Sequence, residues 1–307
     1  MDRIERVRAA LAGRPVDRPP FTVWYHFGTQ HAAASVVAQV HLDFFAHYDL
    51  DLLKLMNDYD YPMPSGMDVM ATAGDLGRLE PFDPARTALG AQLQAVEIVA
   101  RALRGQALFV DTVFNAWNTL KRNLVREAMP RLMVEEPEAL LAALAVVNGN
   151  LIRYAQASLE RGAAGIFLSV PATAESLTLQ QYERFMRPFD LALLEALRGR
   201  GECHILHAHG ERLYFDRLLD YPAQALSWAD VNGGPSIAEA RGRTGLTLMT
   251  GLDHVKFVEV SAALVREQVR RALAAGGRER FIVAPGCSLP TYAYPPLIRA
   301  ARAAVGA

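Results

Sequence analysis

Eight short, β-rich apolar runs recur along this chain, each followed by a stretch with helical periodicity, and this alternation limits the possible folds most. The runs lie at 21–27 (FTVWYHF), 52–58 (LLKLMND), 107–114 (ALFVDTVF), 165–171 (GIFLSVP), 203–209 (CHILHAH), 225–231 (ALSWADV), 246–252 (LTLMTGL) and 280–286 (RFIVAPG). Several are nearly continuous in apolar residues, as parallel strands are when helices cover their outer face. The segments between them carry helix signals. Pro137 falls in a first turn, Leu140, Leu144, Val147 and Leu151 form an apolar stripe, and Gly162 follows as a stop. Thr178 with Gln181, and Ser236 with Glu239, fit capping boxes. The helix from Ser261 to Ala275 ends at Gly276-Gly277. Eight such alternations predict an α/β fold, a (β/α)8 TIM barrel, built as a single domain over residues 1–307. A doubly wound open sheet is the alternative, but Phe27-Gly28-Thr29-Gln30 after the first run has one glycine where a phosphate turn needs several. Residues 59–106 are long for one connection and predict an insertion plus helix, acting as a lid over the barrel mouth.

Composition narrows the function classes. A formal net charge of −1 offers no field for nucleic acid or an anionic membrane. No run approaches the roughly 20 apolar residues that span a bilayer, and Met1–Arg6 is charged, unlike a signal peptide. The two cysteines, Cys203 and Cys287, make no disulfide framework, which suits a reducing cytoplasm.

The chemistry-bearing residues gather at expected strand ends, where barrels of this kind place their sites. His207-Ala208-His209-Gly210 closes one run, and Cys287 follows another in Pro285-Gly286-Cys287-Ser288. Because side chains alternate along a strand, Cys203, Ile205, His207 and His209 share a face. Two imidazoles and a thiolate with a vacant fourth place form a catalytic zinc arrangement. Taken singly, the histidines also fit hydrogen-bonded loop edges, and Cys287 a small buried hydrophobe. Further polar residues at strand ends are His26, Asn57, Asp58, Asp60, Asn115, Asn118, Asp230 and Asp253-His254. Asp230 and Asp253 equally fit helix caps or turns. Cys203 and His204 lie in mid-strand and read as structural. The pairs Tyr59, Tyr61 and Tyr292, Tyr294 could line a pocket wall.

Arg3-Ile4-Glu5-Arg6-Val7, Val16-Asp17-Arg18-Pro19-Pro20, the stretch from Leu177 through Tyr182 to Arg187-Pro188-Phe189, the H-x-H-G at 207–210 and Pro285-Gly286-Cys287-Ser288-Leu289-Pro290 together resemble the uroporphyrinogen decarboxylase superfamily. That superfamily has two branches. Authentic decarboxylases use no metal and hold the porphyrinogen carboxylates with arginines of an early Arg-Gln-Ala-Gly-Arg segment. Here that stretch reads Phe21-Thr22-Val23-Trp24-Tyr25-His26-Phe27-Gly28, without either arginine. An eight-carboxylate substrate would lack counter-charges there. The other branch comprises zinc-dependent corrinoid methyltransferases, including those acting on coenzyme M, with H-x-C and a distant Cys as ligands. His207 and Cys287 match the outer ligands, and His209 replaces the middle cysteine. One thiolate and two neutral imidazoles leave zinc at net +1, a stronger Lewis acid that makes a bound thiolate less nucleophilic.

The resemblance therefore implies a methyltransferase with Zn²⁺ on His207, His209 and Cys287. Its methyl-corrinoid donor, and hence the cobalamin, would be carried by a separate protein, and the chain would pair as a homodimer. Asp230 would orient a ligand histidine or the substrate, and Asp58 and Asn115 would contact substrate. Two rivals stand beside this reading: a decarboxylase or other lyase of a small substrate, and a non-catalytic binding module.

Overall fold

The computed structural model describes residues 1–306. Seven strands form one curled parallel sheet in chain order: β1 (Leu52–Leu55), β2 (Leu108–Phe114), β3 (Gly165–Val170), β4 (Ile205–Ala208), β5 (Ala225–Ser227), β6 (Thr247–Leu252) and β7 (Phe281–Pro285). Nearly every strand residue is buried, because helices cover one face and the curled sheet encloses the other; hence the unbroken apolar runs. The expected helix signals work as expected. Pro137 opens the helix Pro137–Glu160, and Thr178 and Ser236 form capping boxes with Gln181 and Glu239.

The run expected as the first strand is reduced to one bridge, Phe21 with Val283. Its hydrogen bonds still reach both edges of the sheet: Thr22 N donates to Val283 O at 3.1 Å, and Asp51 N to Phe21 O at 2.9 Å. Pro19 and Pro20 lack the donors that would lengthen the ladder on one side.

Alternation along the strands sorts two cores. Leu206 and Ala208 pack outward in the large layer between sheet and helices. Leu52, Met56, Val110, Phe167, Ile205 and Ile282 belong to a smaller inner cluster. Lys54, between Leu52 and Met56 in the same phase, therefore enters the inner space.

The N-terminal segment with its arginines is a latch. Asp51, fully buried before β1, accepts from Arg6 at 2.8 Å, Arg18 at 2.5 Å and the Phe21 backbone N at 2.9 Å. Arg6 also bonds Asp17 at 2.9 Å. At the other end of β1, His41 accepts from Met56 N at 3.0 Å, and burial pushes its imidazole down to about 4.

Residues 59–106 depart from expectation. They contain a short helix Ala73–Leu76 and a longer one, Leu89–Leu103, leading to β2. The irregular part is fastened sideways: Met70 N bonds Leu124 O at 2.9 Å, and Asn150 in the helix Pro137–Glu160 holds Glu80 O at 3.1 Å and Phe82 N at 3.1 Å. No residue of this stretch is among those lining the central cavity. Among the described residues no helix is long and apolar enough to cross a membrane.

Candidate metal centre

β4 aims His207 inward between Ser169 of β3 and Ser227 of β5, its register partners. The His207 Nδ1 lies 3.1 Å from Ser227 Oγ, which orients the ring and leaves Nε2 for another partner. His209 follows the strand, its N bonded to Val170 O at 2.9 Å. The chain then turns at Gly210, whose φ of +123° and contact with Thr173 exclude a side chain. Cys287 arrives from the end of β7. Before it, Gly286 crosses so close to Ala229 that an added Cβ would stand 2.5 Å from the Ala229 Cα.

These segments bring donor atoms of His207, His209 and Cys287 within 4.8 Å of one another. Cys287 Sγ lies 3.6 Å from His209 Nδ1. In a tetrahedral zinc site with arms of about 2.05 Å to nitrogen and 2.3 Å to sulfur, the nitrogen–sulfur edge is about 3.6 Å. The donor set thus fits zinc in chemistry, and its Cys287–His209 edge has the length a zinc site needs. Burial would raise the Cys287 thiol, yet hydrogen bonds and charge from His207 and His209 hold it well below the ordinary thiol range. His207 is pushed down by burial and His209 is raised by its bond to Cys287. The ionised thiol and the lowered His207 imidazole are the forms that metal binding needs, whereas the proton that Cys287 favours on His209 would have to leave.

The three donors face a cavity of about 340 Å³. Trp24, Lys54 and Phe167 make its wall beneath His207, and His26, Asn118 and Arg122 border it elsewhere. Its volume is at the lower end for small-molecule sites. A larger open concavity of about 1070 Å³ lies outside, along Glu211–Arg217 and Gly234–Arg243, and contains none of the three donors.

The other sequence candidates lie outside the three-donor cluster. Asp230 makes its bonds to Thr250 Oγ1 at 2.6 Å and Gly251 N at 3.0 Å, and none to a ligand histidine; Ser227 has that position instead. Asn115 is buried, caps the short helix Ala116–Thr119 and donates to Asp190 at 2.9 Å, so it positions Asn118 rather than lining the cavity. Asp58 is one step removed: it holds His26 Nδ1 at 2.7 Å, and His26 lines the cavity. Burial would raise Asp58, but the His26 bond keeps its carboxyl below the usual range. Asp253 accepts from Val255 N and Lys256 N, the turn role that aspartate also fits. Tyr61 is buried against Asn150, Tyr292 and Tyr294 are exposed, and none of the tyrosines named above lines the cavity. His204 bonds Ile166 N and Arg200 O, and Cys203 is buried core, so both are structural, although they precede β4 rather than lie in mid-strand.

Two outcomes follow from this geometry. Ser227→Ala should weaken zinc binding by about 10–100-fold, the usual effect of losing a group that orients a ligand histidine, as measured by competition with a chelator. Gly286→Ala should cost about 1–3 kcal/mol in chemical unfolding, because the backbone of Ala229 cannot yield to the new methyl, and should lower zinc content by shifting Cys287.

A curled parallel sheet of seven strands whose ends converge on a small pocket defines an α/β protein of TIM-barrel-like form. The uroporphyrinogen decarboxylase (URO-D) family matches residues 2–307, and the chain belongs to that family. A uroporphyrinogen decarboxylase of Shewanella amazonensis is 23% identical over 270 residues, 80% of this chain and 75% of that protein. Among solved structures, a methyltransferase from Methanosarcina mazei superposes with a TM-score of 0.85 at 17% identity, covering 99% of this chain and 98% of that one. A B12-independent methionine synthase from a Shewanella species gives 0.52 at 14% identity, covering 69% of this chain and 65% of the other. At these identities the structural likeness speaks for the fold.

Proposed function

We propose that this chain is a zinc-dependent methyltransferase. It moves a methyl group from a methyl-corrinoid, carried by a separate protein, to a heteroatom nucleophile such as a thiol. The supporting observation is the three-donor cluster of His207, His209 and Cys287, spaced for zinc and open to a small cavity. The methyltransferase likeness of the fold agrees with it. Bound zinc would supply a Lewis-acid position that favours the ionised form of the acceptor. The chain's own residues do the rest. Ser227 fixes the His207 ring, and Trp24 and Phe167 keep the wall beside it dry. His26, held by Asp58, presents a ring nitrogen that can take the acceptor's proton. The nucleophile's electron pair makes the new bond to carbon, and the donor keeps the pair of the bond that breaks.

The porphyrinogen reading is disfavoured by the same pocket. A cavity of about 340 Å³ suits a small molecule, and no arginine stands in the segment 21–28. Protein purified without added metal should carry about one zinc per chain, and X-ray absorption at the zinc edge should show one sulfur and at least two nitrogens. An all-oxygen shell would refute the proposal. Metal-free protein that still releases CO2 from a small acid would favour a lyase.

A further inference from the structure

The chain leaving β2 departs from regular helix at the edge of the cavity. A short helix, Ala116–Thr119, runs into Leu120–Val125, which winds as a π-helix with a surplus residue in its turn. The winding ends at Arg126, whose φ of +49° and ψ of −121° lie outside the left-handed helical well. Glycine adopts such a conformation freely, arginine only under strain. Turns of the π type are rare and collect at functional sites.

Two buried polar atoms at this segment are also unmet. The Trp117 indole Nε1, a donor, and the Asn148 Oδ1, an acceptor, have no hydrogen-bond partner among the described residues. Asn148 belongs to the helix Pro137–Glu160, on which the helix Ala116–Thr119 packs. A complementary donor and acceptor thus stand open on two packed helices, each without its hydration.

The segment is pinned at its ends and carries cavity residues between them. At one end the Asn115 side chain caps the short helix and bonds Asp190 at 2.9 Å. At the other, Asn123 donates to Asp60 at 2.8 Å and Leu124 O accepts from Met70 N at 2.9 Å, so the stretch 59–106 braces it. Between the pins Asn118 and Arg122 line the cavity, the Arg122 guanidinium lying over the Phe114 ring at 5.4 Å.

We propose that Ala116–Ala128 is a two-register gate on the cavity. In the register seen here, the open one, the π-turn holds Arg122 against Phe114 and leaves Trp117 and Asn148 unbonded. In the second register the turn relaxes to α and the surplus residue passes into Arg126–Ala128. Trp117 then bonds Asn148, and Arg122 swings across the mouth by up to about 100°, the angle of one helical residue. Strain at Arg126 and the unmet pair favour the second register; the bonds of Asn123 and Leu124 favour the first. Such opposed biases keep two arrangements of one segment close in free energy. The gate does not rest on the function proposed above, because entry to the cavity is controlled whatever enters it.

The test uses the full chain, stripped of metal, with its three tryptophans fluorine-labelled and followed by fluorine NMR. Trp117→Phe assigns the Trp117 signal. The wild type should give two Trp117 signals, or one exchange-broadened signal that splits on cooling. Arg126→Gly should shift the equilibrium toward the register seen here by about fivefold or more, since glycine accepts the positive φ and is the poorer residue in an α-turn. Asn148→Leu should shift it the same way by removing the Trp117 partner. Access is read on the same samples as the rate at which iodoacetamide modifies the half-buried Cys287, with buried Cys203 as the unreactive control. That rate should rise in both variants in proportion to the open population. A single sharp Trp117 signal that neither variant moves would overturn the two registers. Shifted populations with an unchanged Cys287 rate would overturn the gate. Either failure leaves the zinc reading standing, because no metal is present in the experiment.

Discussion

His207→Ala and Cys287→Ala should each lower zinc affinity on the order of 10²–10⁴-fold and, on the function proposed above, reduce methyl transfer to background. Zinc sites of this chemistry bind with about 10–16 kcal/mol, so one lost ligand among three removes roughly 3–5 kcal/mol. The effect should be specific. The donors stand at the strand ends, with the inner core of Ile205, Phe167 and Ile282 below them, so the variants should keep their unfolding midpoints within a few degrees once metal is removed from both. Zinc analysis and thermal unfolding on the same samples check this. A variant that retains full zinc would end the three-ligand reading. His209→Ala should behave alike, because its Nδ1 lies 3.6 Å from Cys287 Sγ.

Asp51→Ala should be the most destabilising single change away from the site, at about 3–5 kcal/mol. It strands Arg6, Arg18 and the Phe21 amide around a fully buried position. At an unfolding entropy of about 2.1 cal/mol/K per residue, that loss corresponds to a fall in Tm of roughly 5–8 °C for this chain length. Asp17→Ala should cost less, on the order of 1 kcal/mol or below, because the Asp17 side chain is 44% exposed. The hydrogen bond from Arg6 holds the Asp17 carboxyl well below its ordinary value. A carboxyl lowered on folding stabilises above its unfolded value and loses that contribution as the pH falls toward its folded one. Stability should therefore decline in acid below about pH 4, more shallowly in Asp17→Asn. Calorimetry across a pH series reads both effects.

Much of the fold was legible because parallel strands buried on both faces must be continuously apolar, and seven of the eight runs became strands. The eighth, at 21–27, kept the composition of a strand but only one bridge, because ladder length depends on what the neighbouring edges can accept. For 59–106 the length was visible in the sequence, but its attachment to Asn150 and Leu124 was not. At the site, His207, His209 and Cys287 were found from residue chemistry at strand ends. Lys54 was overlooked, although a lysine in phase with Leu52 and Met56 inside an apolar run was a readable signal. Ser227 carried no such signal, since serine is common in strands and only its register with His207 gives it a task.

The sequence by itself determined which segments alternate, where helices begin and stop, and which side chains could bind a metal, because these follow from local periodicity, capping and ligand chemistry. Tertiary structure alone decided that residues some eighty positions apart meet within a few ångströms, that Ser227 rather than Asp230 steadies His207, and that Lys54 faces the cavity without a carboxylate bonded to it. Those outcomes depend on register between strands and on the curl of the sheet, which are set by the packing of the whole chain and written in no single stretch of it.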